Sequence, residues 1–347
     1  MKTRYVITGA NGHLGNTLIR SLKGAKIEIY GLILPDEQVK DHDNVHYVRG
    51  DVRNIDSLRP LFQNTQSTDN IYIIHTAGII SIAEHVSPTL YDVNVNGTKN
   101  IIALAKEYNV KRLLYVSSVH AIPEKDGDVI KEVNNFSPDT VVGAYARTKA
   151  EATQAVLDAG KEGLDVVVVH PSGIIGPYDN SGNHLVQMIG EYLKGSLPAC
   201  VKGGYDFVDV RDVAKGCLQA LHNGKANNCY ILSNCYYEIK DVLEMVRKFV
   251  HKRKLVVLPI WMAKMFAPIM EWFAKIKHRR PLYTKYSLHT LKTKDRFSHD
   301  KATHDIGYKP RGLRDTIRDT IFWFKLTKKM KLSLVYSPKY NPNNRRK

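Results

Sequence analysis

The chain has 347 residues, 43% of them hydrophobic, enough for one large domain or two smaller ones with an ample core. Its four cysteines, Cys200, Cys217, Cys229 and Cys235, lack C-x-x-C spacing, which argues against both a zinc site and a disulfide framework. The net charge of +17 is uneven: Lys275 to Lys347 holds 21 basic and 5 acidic residues, a net of +16, so the remainder is nearly neutral and any attraction to an anionic surface belongs to that end.

Met1-Lys2-Thr3-Arg4 runs straight into an apolar strand pattern, so the expectation is a cytoplasmic protein with reduced thiols and no metal. The first half then alternates short β-rich apolar runs with helical stretches, the pattern of a doubly wound parallel sheet. Strands are predicted at 4–8, 26–32, 45–49, 71–75, 112–117 and 165–170, and helices most clearly at 89–108 and 145–159. The unbroken run Val166-Val167-Val168-Val169 suits a strand buried on both faces. Pro171 to Pro177 reads as a loop leaving the sixth strand. A further strand at 207–210 and helix at 211–221 follow, with 230–232 as another strand. Beyond them lie helices at 239–251, 261–277 and 313–328. The expected architecture is an α/β Rossmann-type sheet, residues 1–170 plus 205–232, with a smaller, mostly helical substrate-binding part, 171–204 plus 233–328. Residues 329–347 read as a basic, unstructured tail.

Directly after the first strand comes Gly9-Ala10-Asn11-Gly12-His13-Leu14-Gly15. A glycine loop between a strand and a helix can bring backbone N–H groups against a dinucleotide pyrophosphate. Gly9 and Gly12 would let the backbone turn and approach phosphate, and Gly15 would let the helix pack closely. No G-x-x-x-x-G-K-[ST] pattern occurs, which disfavours nucleoside triphosphate hydrolysis. Asp51, followed by Val52, reads either as an adenine-binding acid or as a turn aspartate. At the end of the second strand an acid would suit NAD and an arginine NADP. Leu34 is neither, Asp36 lies late and no arginine is present, so NAD is weakly preferred over NADP.

Tyr145 and Lys149 stand four apart on a predicted helix, which puts a phenol and an ammonium on one face. A free phenol titrates near 10 and is a poor base; a nearby ammonium stabilises the phenolate. Ser118, at the end of the fifth strand, is placed to hydrogen-bond a reacting oxygen. Tyr and Lys at this spacing are common by chance. The order of glycine loop, serine pair Ser117-Ser118, then Tyr145 and Lys149 gives the pair a catalytic meaning.

These motifs resemble the extended short-chain dehydrogenase/reductase superfamily. The resemblance adds His75-Thr76-Ala77-Gly78, Val93-Asn94-Val95-Asn96-Gly97-Thr98, Tyr115-Val116-Ser117-Ser118 and the loop from Pro171 to Pro177. Within that superfamily the 3β-hydroxysteroid dehydrogenase and dihydroflavonol reductase branch is most similar. The resemblance implies Ser118, Tyr145 and Lys149 as the catalytic triad, with Asn94 supporting the active-site helix. It implies cofactor contacts from Gly9, Asn11, Gly12, His13, Leu14, Gly15, Asp51, Val52, Thr76, Ala77, Gly78, Ser117, Tyr145, Lys149, Pro171, Ser172 and Gly173. His120, Tyr178 and His184 are substrate candidates. The implied activity is alcohol–ketone interconversion on an apolar small molecule of steroid or flavonoid type.

Nucleotide-sugar epimerases and dehydratases share the fold and triad. Here Val119-His120 follows Ser118 with no acid, and His170-Pro171-Ser172 stands where epimerases place an asparagine. A non-catalytic NAD(P) sensor would be free to lose Tyr145 or Lys149, and both are present. A homodimer is kept open, and no motif supports specific nucleic-acid binding. The apolar stretch 259–273, interrupted by Lys264, Pro268 and Glu271, is too broken to span a bilayer. It reads as a core helix, or as a lid resting on an anionic membrane beside the basic segment.

Overall fold

The computed structural model describes residues 2–22, 27–39, 44–66, 69–81, 84–124, 129–197, 199–262, 265, 291, 295–327 and 330. Seven parallel strands form its central sheet: β1 (Thr3–Thr8), β2 (Glu28–Ile33), β3 (Val45–Arg49), β4 (Asn70–His75), β5 (Arg112–Val116), β7 (Val166–Pro171) and β11 (Asn228–Leu232). Their order is β3-β2-β1-β4-β5-β7-β11. The chain reverses its direction of growth between β1 and β4, and the carboxyl ends there form the crevice where open α/β sheets bind ligands. β6 (Val129–Ile130) is a short strand outside this sheet.

Alternation along the strands fills two cores, one per face. Leu113, Tyr115, Val166 and Val168 pack with Ile101 and Leu104 of α3 (Gly97–Glu107) and Ala150 and Val156 of α4 (Ala144–Lys161). Leu114, Val116, Val167 and Val169 pack with Leu14 and Leu18 of α1 (His13–Leu22) and Val213 and Cys217 of α6 (Val210–Asn223). The helix expected over 89–108 is a short α2 (Pro88–Tyr91), a π-helical turn over Asp92–Asn96, and then α3. Such turns re-aim side chains and recur at functional sites. This one carries Asn94.

A second sheet joins β8 (Gly173–Ile175), β10 (Gly204–Asp209) and β12 (Cys235–Glu238) in the order β12-β10-β8. Beside it, α5 (His184–Lys194), α7 (Ile239–Phe249) and α9 (Leu313–Thr327) enclose a third core around Ile189, Tyr192, Val246 and Ile317. α5 was not expected from the sequence. Asn183 caps it, its Oδ1 accepting from Leu185 N at 2.9 Å and Val186 N at 3.4 Å. An asparagine before an apolar-periodic run is the signal that was there to read. Two short pairs complete the strands: β9 (Cys200–Val201) with β13 (Val257–Leu258), and β14 (Arg296–Phe297) with β6. α8 (Asp300–Ile306) packs on α6 and β11. Most of the helix expected at 261–277 and of the tail 329–347 lies outside the described residues. No helix among the described residues is long and apolar enough to cross a membrane.

Candidate active site

The glycine loop joins β1 to α1 as the motif requires. Gly9 adopts φ +65°, and Gly12 N donates to Gly9 O at 3.0 Å, closing the turn. A Cβ on Gly15 would lie 2.1 Å from Gly9 O, which no side chain can occupy, so Gly15 lets the helix start against the turn. A Cβ on Gly12 would meet only Gly9 O, at 3.1 Å. The first N–H groups of α1, beginning at His13, Leu14 and Gly15, have no acceptor within the helix. Loop and helix start therefore form a concave anion cradle, and these residues fit a dinucleotide pyrophosphate.

Several predicted cofactor residues use their side chains elsewhere. His13 is buried, with Nε2 2.9 Å from Pro177 O and Nδ1 3.3 Å from Asn183 Nδ2. Burial lowers its pKa, so it stays neutral in that contact. Leu14 is core, leaving Asn11 half-buried in the loop. Asp51 follows the end of β3. Its carboxylate is held by Arg53 Nη2 at 2.6 Å and Nε at 3.0 Å, and this bonding lowers its pKa. Val52 is buried against Gly97, and its carbonyl accepts from Asn100 at 2.8 Å. Ser117 Oγ lies 2.6 Å from Thr153 Oγ1, tying β5 to α4 rather than facing the crevice. Pro171 ends β7, Ser172 Oγ donates to Asp206 Oδ1 at 2.7 Å, and Gly173 lies too close to Asp206 O for a Cβ.

The end of β2 corrects one premise. The register Ile33↔Arg49 places Arg49 beside this turn, where Nη1 donates to Pro35 O at 2.6 Å and Glu37 O at 3.0 Å. Glu37 Oε2 accepts from Leu34 N at 2.9 Å. An arginine and an acid therefore both stand where the sequence showed neither, and the ground for preferring NAD is gone.

At the end of β4, Thr8 Oγ1 accepts from Thr76 N at 3.2 Å and Ala77 N at 3.1 Å. Its own proton goes to His75 Nδ1, 2.7 Å away, so His75 Nε2 carries the ring proton and donates to Thr98 Oγ1 at 3.0 Å. Full burial pushes the His75 pKa down to about 3 and keeps the ring neutral. Asn94 clasps the next residue at both polar atoms: Ile79 N donates to Oδ1 at 2.8 Å and Nδ2 donates to Ile79 O at 3.0 Å. Nδ2 also reaches Thr148 Oγ1 at 3.1 Å. Asn94 thus pins the segment after Gly78 to the helix bearing Tyr145 and Lys149.

Tyr145, Ser118 and Lys149 converge on this segment. Tyr145 is buried, with its phenol on the Ser118 side. The expected lowering of its pKa is absent: burial pushes it up to about 12, with Ser118 a smaller opposing influence. Lys149 Nζ instead donates to Val116 O at 2.8 Å and Tyr115 Oη at 3.1 Å. It sits 3.5 Å from where a Cβ on Gly78 would stand, and burial lowers its pKa to about 7. The His120 ring lies edge-on to Tyr145 at 6.4 Å, kept neutral by burial at a pKa of about 4. His170 Nδ1 is 3.0 Å from Ser118 O, holding the serine's backbone.

Tyr178 does not join this group. Its carbonyl accepts from Asn16 at 3.2 Å and its ring lies 4.8 Å from the Arg20 guanidinium, on the flank of α1. His184 opens α5. Thr8, Tyr115, Thr148, Glu37 and Arg49 are the residues the sequence reading missed.

Glycine cradle, parallel sheet edge and buried Tyr–Lys–Ser group define an NAD(P)-dependent enzyme. Residues 5–233 match the NAD dependent epimerase/dehydratase family, and the chain belongs to that family, within the extended short-chain dehydrogenase/reductase superfamily. It is 28% identical over 328 residues to sterol demethylase protein B of Methylococcus capsulatus, covering 92% of this chain and 98% of that one. A candidate dihydroflavonol 4-reductase of Synechocystis sp. is 28% identical over 329 residues, covering 92% and 94%. Among solved structures, gox2253 aligns with a TM-score of 0.77 and 30% identity, covering 94% of this chain and 99% of that one.

Proposed function

We propose that the protein is an oxidoreductase that interconverts a secondary alcohol and a ketone on an apolar small molecule of steroid or flavonoid type. The observation that carries this reading is the meeting, at one sheet edge, of the glycine cradle, the Gly78–Lys149 approach and the Tyr145–Ser118 pair. NAD(P), when bound, supplies or accepts the hydride. The cradle over residues 9–15 and the segment Thr76-Ala77-Gly78 would hold it, with Lys149 at the ribose.

Tyr145 is the general acid/base. With its pKa near 12 the phenol keeps its proton at neutral pH, which suits donation to a ketone oxygen. Ser118 Oγ, on the same side as that phenol, would orient the same oxygen. Asn94 fixes the geometry by holding Ile79 and Thr148 together. His120, neutral and edge-on to Tyr145, stands at the substrate side.

An apolar substrate is supported by the exposed Ile79, Ile80 and Val142 beside these residues. A cavity of about 100 Å³ beside His120 has a mixed lining, Val119, Ile122, Val141 and Phe297 together with Glu124, Thr140 and Asp295. The printed names of the two relatives, a sterol and a flavonoid protein, favour the apolar reading. Against nucleotide-sugar chemistry, His170-Pro171-Ser172 holds no asparagine, and Ser172 Oγ is committed to Asp206. The 171–204 plus 233–328 part would complete the substrate pocket, with a homodimer in the cytoplasm as the working assembly. Peripheral contact with anionic membrane is supported by exposed Val256, Val257, Trp261 and Met265 within residues 245–270, which contain no acid. Co-sedimentation with anionic vesicles at low salt tests it, and its absence there would end that part of the reading.

Tyr145→Phe tests the mechanism. The variant should bind NAD(P)H as the parent does and lose turnover of cyclic ketones by about 10²-fold or more. Near-parental turnover would sink the assignment, and the same loss in cofactor affinity would favour a structural role for the tyrosine.

A further inference from the structure

An ammonium has three protons and no acceptor of its own. Two of those on Lys149 have fixed partners, Val116 O at 2.8 Å and Tyr115 Oη at 3.1 Å, while Gly78 leaves the space beside Nζ free of any Cβ. Tyr115 is fully buried on β5, with its ring centroid 4.7 Å from Nζ. Because an ammonium only donates, the Tyr115 oxygen accepts in this contact and presents a lone pair to the lysine.

We propose that Tyr115 is a positioning residue for Lys149: with the Val116 carbonyl it holds two ammonium protons, so that the third faces the Gly78 side where the nicotinamide ribose would lie. The inference rests on the cofactor-binding role of Lys149 proposed above. The titratable groups that bear on Nζ are His75 from β4, Tyr115 from β5 and His170 from β7. Among the described residues no acid pairs with Lys149, so neutral oxygens alone sustain its charge. Losing one of them should make the ammonium both looser and easier to deprotonate.

The test is Tyr115→Phe, which keeps the ring and removes the acceptor. Fluorescence titration of the full chain with NADH or NADPH, whichever binds better, would be run from pH 5.5 to 9.5. Binding at pH 7 should weaken about tenfold, the scale of one hydrogen bond to a charged group. The pH at which affinity halves should fall by about one unit, since one pKa unit is tenfold. A role in packing alone would lower Tm and leave that pH midpoint in place. A folded Tyr115→Phe with unchanged affinity and midpoint overturns the proposal. Should Tyr115→Phe not fold, Tyr115→Met, which also lacks the oxygen, decides: it should move the midpoint the same way, and an unmoved midpoint again overturns the proposal. Lys149→Ala separates the two levels. Parental binding in that variant refutes the assigned role of the lysine, whereas weak binding there with a silent Tyr115→Phe refutes only the positioning.

Discussion

Replacing Lys149 by methionine should change the stability of the cofactor-free fold in a pH-dependent way, more favourably in acid than in alkali. The side chain is 4% exposed and burial lowers its pKa from 10.5 to about 7. Between those values the folded protein binds fewer protons than the unfolded chain, so stability rises with pH across that window. The cost of burying the charge is fully present below about pH 7 and fades as pH rises to about 10.5. A drop of about 3.5, at about 1.36 kcal/mol per unit, makes that cost roughly 5 kcal/mol. Methionine fills the same volume with no charge. It leaves Tyr115 Oη and Val116 O short of a donor, a loss of about 1–3 kcal/mol each that does not vary with pH. With about 2.1 cal/mol/K of unfolding entropy per residue, 347 residues give roughly 1.4 °C in Tm per kcal/mol. The Tm difference between variant and parent should therefore shift by roughly 7 °C in favour of the variant on going from pH 10.5 to pH 6. Circular dichroism melts at matched pH measure it, because every other titrating group is common to both proteins. A difference constant to within about 1 kcal/mol over that range would refute the reasoning and mean that Lys149 is charged in the fold without penalty.

Gly12→Val should fold, since its Cβ meets only Gly9 O, and should bind NAD(P)H at least about tenfold more weakly; unchanged affinity would place the dinucleotide elsewhere. Gly15→Ala should instead lower Tm, by an overpacking cost of about 1–3 kcal/mol, because its Cβ would fall 2.1 Å from Gly9 O. Glu37→Gln should weaken NADH binding several-fold and Arg49→Ala should weaken NADPH binding; paired titrations in which neither ratio moves would remove both residues from ribose recognition. Asn94→Leu leaves both polar atoms of Ile79 unpaired, so Tm should fall and turnover drop with it, and parental kinetics would show that the 78–80 segment needs no clasp.

What the sequence made legible is what lies close along it. Tyr145 and Lys149 are one helical turn apart, and the glycine loop sits between adjacent elements, so spacing alone places them. Asp51 is local too, yet a turn aspartate and an adenine ligand are written with the same residue, and its Arg53 partner at 2.6 Å is just as local. The side chain of His13 could not be read at all, because its partner, Pro177 O, is 164 residues away. Arg49 is hidden differently. It looks like the end of a strand until the parallel register with Ile33 swings it beside the β2 turn. The pKa of Tyr145 went the other way from expectation for a related reason. Sequence shows that Lys149 shares its helix face, but not that Val116 O and Tyr115 Oη, presented by β5, lie nearer the ammonium. A motif fixes which groups meet, whereas their protonation follows from burial and from the neighbours that other strands bring. In this site those neighbours come from β1, β4 and β5 at once, through Thr8, His75 and Tyr115. Isolating α4 would therefore preserve the motif and lose the chemistry.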